Sequence, residues 1–180
     1  MVHVLILHIN FGRFVMLTVR KESEIGNDLF NALEDYKVVT INCVGAMGRG
    51  IALACRERYP DLYQDYRKRC REDEIKIGSV YVYSNEKCIL LPTKTHWRLK
   101  SQVSYVTAGI TALADCVEEL DTNVAIPPLG MANGWLDSWE RQEIFLWLYK
   151  KLEPRRQHYT LYLPDGLYRE AESLIPNSFK

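Results

Sequence analysis

Ile41-Asn42-Cys43-Val44-Gly45-Ala46-Met47-Gly48-Arg49-Gly50-Ile51-Ala52 is the stretch whose reading decides the fold. A β-branched run, Val38 to Asn42, meets Gly45, Gly48 and Gly50 and passes into a helical stretch, Gly48 to Tyr59, which Pro60 closes. Such a turn exposes backbone N–H groups at a helix N-terminus, where they and the helix dipole hold a phosphate without any cationic side chain. Glycine lets the main chain approach the anion. No Gly-Lys-Ser/Thr ending follows, so this is not a Walker A loop. The order G-x-x-G-x-G is also a poor dinucleotide fingerprint, because the acidic residue about 20 positions on falls in a helical stretch. A tight strand-to-helix turn with no ligand is the plain alternative.

Outward from this unit the pattern repeats. Further strand candidates are Val15 to Arg20, Ser79 to Tyr83, Cys88 to Pro92, Asn123 to Pro127 and Tyr159 to Leu163, several of them apolar enough to be buried on both faces. Between them lie helix candidates at Asp61 to Arg71, Ser101 to Leu120, Ser138 to Leu152 and Tyr168 to Leu174. Val103, Val106, Ile110, Leu113, Val117 and Leu120 recur at three- and four-residue spacing, one stripe of an amphipathic helix packed on a sheet. Strand and helix in alternation give an α/β sandwich. Ligands collect in such sheets where strands end, which singles out the loops after Asn42, Pro92 and Pro128.

The last of these reads Ile126-Pro127-Pro128-Leu129-Gly130-Met131-Ala132-Asn133-Gly134-Trp135-Leu136-Asp137. Small residues again stand between a buried strand and a helix, and two such loops from neighbouring strands can clamp a diphosphate. The plain reading makes Asp137 or Ser138 a helix cap and Trp135 a core residue.

Composition bounds the rest. The 180 residues are 47% hydrophobic and 26% charged, enough for a core that needs neither disulfide nor metal. Twenty-three Lys and Arg balance 23 Asp and Glu, which excludes holding a duplex by bulk positive charge and leaves a local basic patch open. Five scattered cysteines without a C-x-x-C pair suit a reducing compartment, so the cytoplasm is the expected location. No apolar run approaches the roughly 20 residues of a membrane span, and no membrane partner is expected. Val2 to Ile9 lacks the marks of a signal peptide. Residues 1–15 are either a first strand or, with Met16 as an equally good start, an extension outside one domain of residues 16–180.

Asn42 to Ala52, Leu91-Pro92-Thr93-Lys94-Thr95-His96-Trp97-Arg98 and Ile126 to Gly130 together resemble the macrodomain family. The branch is the one that contains the terminal ADP-ribose glycohydrolase and the antitoxins that remove ADP-ribose from thymidine in DNA. The likeness runs from about Met16 to Leu163. It implies a three-layer α/β/α sandwich with a mixed central sheet, a cleft for ADP-ribose at the strand ends, and no metal or redox cofactor. By that resemblance Asp28, beside Leu29, accepts a hydrogen bond from the adenine amino group, although Asn27 is one residue more than the family's Gly-Asp-Leu-Phe has. Capping of a local helical turn by Asp28 is the other reading. Asn42 resembles a residue near the distal ribose. Gly45, Met47, Gly48, Gly50 and Ile51 resemble the first phosphate loop; Pro128, Gly130, Met131, Ala132, Asn133 and Gly134 resemble the second.

Lys94, with Thr93 before it, stands where this branch has a catalytic lysine. A desolvated amine can attack the anomeric carbon or the aldehyde of ring-opened ribose, or it can act on the leaving group. Spacing alone describes only an exposed lysine at a strand end. His96, Trp97, Arg98 and Lys100 interleave charge with an aromatic ring, as a nucleic-acid single strand requires. A solvated loop with Trp97 buried is the alternative. Two departures stand out. Gly134 falls where protein-deacylating members carry an aspartate, and Ala132 replaces a loop glycine. Gly134-Trp135-Leu136-Asp137-Ser138-Trp139 is instead similar, with one extra residue before the tryptophan, to the Gly-Gly-Leu-Asp-Trp of the DNA-directed antitoxins.

The expected activity is therefore release of ADP-ribose from a modified target, thymidine-linked DNA before protein, with an ADP-ribosyltransferase toxin as a possible partner. The alternatives are a non-catalytic ADP-ribose-binding module and an ADP-ribose 1''-phosphate phosphatase. A nicotinamide dehydrogenase lacks its acidic ribose ligand.

Overall fold

The computed structural model describes residues 17–175. The expectations for residues 1–15, and the start of the first strand at Val15, lie outside the described residues. Six strands form one sheet: β1 Leu17–Lys21, β2 Tyr36–Asn42, β3 Tyr81–Tyr83, β4 Cys88–Lys94, β5 Val124–Ile126 and β6 Tyr159–Leu163. Their order across the sheet is β1-β6-β5-β2-β4-β3, with β3 antiparallel to β4 and the other pairs parallel. Five helices connect them: α1 Gly50–Arg58, α2 Pro60–Arg71, α3 Val103–Leu120, α4 Ser138–Leu152 and α5 Asp165–Glu172. The mixed α/β/α sandwich expected from the sequence is what forms.

Strand periodicity sorts the core into two layers. Val38, Ile89, Leu91 and Leu161 face α3 and α4, while Val39, Cys88 and Leu90 face α1 and α2. β4, β5 and β6 are buried along their whole length, as strands covered on both faces are. The α3 stripe of Val106, Ile110, Leu113 and Val117 is fully buried; Leu120, at its end, is partly exposed. Gly109 lets that helix come close, since a β-carbon there would stand 2.8 Å from the Leu91 side chain. On the other face α1 reaches β5 and β6 only through Ile51. Leu29, Ala32, Ala125 and Tyr162 make a small separate cluster there under the segment that follows β1.

Several boundaries move from their sequence positions. α1 begins at Gly50, because Arg49 is extended at φ −151°. Pro60 is the first residue of α2, where its missing N–H is no loss, so one residue separates the two helices. α5 begins at Asp165, earlier than Tyr168, because Pro164 sets its entry. β4 continues past Pro92 to Lys94. Asn42 pairs with Lys94 and Ile41 with Pro92, which leaves Thr93 as an extra residue on β4. This is a β-bulge, one of the places where a strand accepts proline and where a side chain is re-aimed.

Candidate functional site

The C-terminal ends of β6, β5, β2 and β4 lie side by side and open into one cleft of about 1000 Å³. From β6 to β4 is three strand spacings, roughly 14 Å, so the cleft is elongated along the sheet edge. Every segment that lines it follows a parallel strand, as expected for a sheet of this type.

The first wall is the loop from Cys43 to Arg49, and the Asn42 side chain shapes it. Asn42 Nδ2 donates to the Ala46 carbonyl (2.6 Å), and its Oδ1 accepts from the amides of Val44 (3.1 Å) and Ala46 (3.2 Å). The Tyr66 hydroxyl donates to the Asn42 carbonyl (2.6 Å), and the Cys43 amide donates to the Lys94 carbonyl (3.1 Å), tying the loop to β4. Gly45 bends the chain at φ +79°, and its α-carbon faces α2. Beyond it, Arg49 supplies no side-chain cap to α1. Among the described residues the amides of Gly48 through Ala52 have no protein acceptor except where α1 itself continues. Unsatisfied N–H groups at a helix start are an anion site.

The second wall follows β5. Gly130 turns at φ +69°, and the amides of Ala132, Asn133 and Gly134 likewise find no acceptor among the described residues. The two walls meet where a β-carbon on Gly50 would be 3.1 Å from Asn133 Nδ2. Gly134 admits no side chain. A β-carbon there would overlap the carbonyl oxygen of Gly130 and stand 2.6 Å from its α-carbon.

At the β6 end the cleft is apolar with two carboxylates. Gly26 and Asn27 are both left-handed (φ +67° and +59°) and absorb the extra residue before Asp28. Asp28 does cap a short turn, its Oδ1 accepting from the Phe30 amide (3.0 Å), and it also lines the cleft. Its Oδ2 accepts from Arg58 (2.5 Å), whose guanidinium lies 4.7 Å over the Phe30 ring. Glu22 is the other carboxylate, and burial pushes it above the usual range. Ile25, Leu29, Tyr162 and Pro164 complete this end.

At the β4 end stands Lys94. Sequence spacing described an exposed side chain; the bulge instead turns it into the protein, where it is only 8% exposed. Among the described residues it has no hydrogen bond or ion pair, and burial lowers its pKa from the ordinary lysine value. Its Nζ lies 3.8 Å from the Trp135 ring centroid, a contact that favours the ammonium and works against the burial. Trp135 is not core: it is 52% exposed, at φ +59°, a conformation rare for a bulky residue. No carboxylate lines this end; Asp137, the nearest in sequence to the second wall, caps α4 in a reciprocal pair with Glu140.

Asp28, Leu29, Asn42, Gly48, Gly50 and Ile51 thus border the cleft, as do Thr93, Lys94 and Pro128. From the second wall Gly130, Ala132, Asn133 and Gly134 do so too. Three of the residues singled out in the loops do not line it: Gly45 faces α2, Met47 is buried against α1 and α2, and Met131 is buried toward α3 and α4. Of the basic-aromatic group, Trp97 and Arg98 line the cleft. Trp97 is 48% exposed, contrary to the buried alternative, with His96 stacked on it and Arg98 4.5 Å from its centroid. His96 and Lys100 do not line the cleft, and Lys100 is held by Glu140 (2.5 Å) and Asp137 (3.5 Å). Sequence reasoning passed over Tyr162 and Pro164, although the strand-end argument applied to β6 as well. It also passed over Arg58, whose bond to Asp28 spans 30 residues and has no local signature.

The Macro domain family model matches residues 38–143, more than half of the chain. The chain is a macrodomain. This macrodomain is 42% identical over 123 residues to a DNA ADP-ribosyl glycohydrolase of Mycobacterium tuberculosis, covering 64% of this chain and 35% of that protein. A DNA ADP-ribosyl transferase-DNA ADP-ribosyl glycohydrolase fusion protein of Thermosipho africanus is 26% identical over 178 residues, 86% of this chain and 43% of its own length. The macrodomain thus spans less than half of the curated relatives it matches. The solved macrodomain of Thermus aquaticus DarG superposes with a TM-score of 0.73 at 32% identity, covering 83% of this chain and 99% of that one.

Proposed function

We propose that the cleft binds ADP-ribose and that the macrodomain releases it from a modified target, with thymidine-linked DNA as the preferred substrate and Lys94 as the catalytic group. What carries this reading is the two rows of unpartnered amides, Gly48 to Ala52 and Ala132 to Gly134, facing one elongated cleft. A diphosphate between them puts one nucleoside end toward Asp28 and the apolar β6 end. The adenine amino group then donates to Asp28, which Arg58 and the Phe30 amide hold in place. The other ribose points to Lys94. The relatives named DNA ADP-ribosyl glycohydrolase support the reaction class.

The chemistry follows from burial. A fraction of neutral amine is available at Lys94 because the ammonium is desolvated. The amine forms a bond to the anomeric carbon as the glycosidic bond to the base breaks, and an amine proton goes to the departing base. Water then replaces the lysine, giving free ADP-ribose and the original amine. Thr93, Trp97 and Arg98 border the end where the base and its strand leave. The fusion relative supports an ADP-ribosyltransferase as the partner that places the modification.

A second reading, an ADP-ribose-binding module without turnover, is favoured by one observation: no carboxylate lines the Lys94 end. Incubation with a thymidine-ADP-ribosylated oligonucleotide and a glutamate-ADP-ribosylated protein separates the two. Release from the oligonucleotide that Lys94→Ala abolishes is the expected result; tight ADP-ribose binding with no release from either substrate establishes the module instead.

A further inference from the structure

A net charge of zero hides a local asymmetry. Residues 49–71 hold seven Lys and Arg against three Asp and Glu, leaving 16 cations and 20 carboxylates in the rest of the chain. Part of this has a local cause. Lys68, Arg69 and Arg71 close α2, where the helix dipole favours cations, and Lys68 and Arg69 pair with Glu72 and Asp65. Arg58 is committed to Asp28.

Arg49 lines the cleft. Arg56 and Arg67 remain. They come from different helices and converge on one ring, Tyr63, at 5.7 Å and 5.6 Å from its centroid. Neither has a carboxylate partner among the described residues. Two guanidinium groups beside one aromatic ring repel each other. Trp97 with Arg98 repeats the combination at the cleft mouth.

The two groups are joined by short steps. A β-carbon on Gly45 would lie 3.4 Å from the Arg67 side chain, and Cys43, two residues earlier, bonds to the carbonyls of Lys94 (3.1 Å) and Thr95 (3.3 Å). Two residues of chain span at most about 7 Å, so Arg67 stands within about 15 Å of the Lys94 main chain. Loop residue Val44, between them, is 48% exposed. The first loop thus lies between the α1–α2 group and the segment after β4 that carries Trp97 and Arg98.

We propose that this track, Arg56, Tyr63 and Arg67 continued by Trp97 and Arg98, carries the unmodified single strand on either side of the ADP-ribosylated nucleotide. The proposal rests on the DNA-directed reading of the cleft and adds a second surface to it. Phosphates bind the guanidinium groups, and bases stack on the rings without regard to sequence. The occupant is a strand rather than a duplex, since rings interleaved with guanidinium groups offer stacking to unpaired bases, which a duplex has already used.

Fluorescence anisotropy with an unmodified single-stranded 20-mer of deoxythymidine tests the track without any turnover. Wild type is expected to bind it with a clear salt dependence. The double variant Arg56→Gln/Arg67→Gln is expected to flatten the log–log salt slope by about 1.4, at roughly 0.7 per phosphate contact on single strands. Lys150→Gln/Lys151→Gln, the same charge change on α4, is expected to leave it unchanged. The Arg variant should also lose the preference for a modified 20-mer over a modified dinucleotide while retaining wild-type affinity for free ADP-ribose. Equal slopes for wild type and variant, or an equal loss on an ADP-ribosylated protein, overturns the track and leaves the cleft reading standing. Absence of release from any oligonucleotide, with the 20-mer still bound through Arg56 and Arg67, overturns the hydrolase reading and leaves the track.

Discussion

Gly134→Ala introduces the smallest side chain at the place where the second wall folds back on itself. Its β-carbon would overlap the Gly130 carbonyl oxygen, a main-chain atom that no side-chain rotation can move. Retreat is blocked on the other side. Gly130 is boxed in, with Val106 and Leu136 carbons 3.0 Å and 3.1 Å from where its own β-carbon would be, and the Gly134 carbonyl accepts from the Ser101 amide (2.9 Å). Overpacking in such a setting costs up to about 3 kcal/mol. In a chain of this size that lowers Tm by roughly 6–12 °C. Displacing the turn also mis-aims the amides of Ala132 to Gly134, and a lost hydrogen bond to a charged group weakens ADP-ribose binding by about 10- to 150-fold. Gly48→Ala is the matched control, since nothing lies within 4 Å of its would-be β-carbon. Its melting should be that of wild type, while its new methyl, projecting into open cleft, weakens the ligand. Thermal unfolding and titration calorimetry read both effects. A Gly134→Ala protein that melts and binds as wild type refutes the account of the second wall, and a Gly134→Asp protein with raised activity refutes it as well.

Asn42→Ala removes three hydrogen bonds within the first loop at once, each worth about 1 kcal/mol, so urea denaturation should show a loss of about 2–3 kcal/mol. The release rate should rise with pH through a Lys94 pKa below that of ordinary lysine, because the neutral amine that attacks is the form present above that pKa and burial lowers it. A rate profile that is flat between pH 6 and roughly 10 would exclude Lys94 as the attacking group.

The alternation of strand and helix was readable because each element is local. The α3 stripe and the two glycine-bearing loops follow from spacings within one segment, and the strand-end rule then points to the cleft. What could not be read depends on partners distant in sequence. Pro92 marks the end of a strand by local rules, yet β2 carries β4 two residues further and creates the bulge. Trp135 looks like core from its hydrophobicity, yet it stands half exposed at positive φ with its ring against Lys94. Met47 and Met131 sit in loops that border the cleft, and their side chains turn inward to the core. The carboxylate–guanidinium pair of Asp28 and Arg58 has no signature at all in either neighbourhood.

Successive side chains of a strand point to opposite faces, so the single surplus residue at Thr93 determines which way the next one looks. The position of the amine is accordingly a matter of parity. Strict alternation past Pro92 would put Lys94 on the face that Pro92 occupies; with Thr93 as the surplus residue, Lys94 takes the place opposite Asn42 instead. Anyone transplanting this strand end into another scaffold must therefore carry over its irregularity, since the same residues on a regular strand would present the lysine to the opposite face.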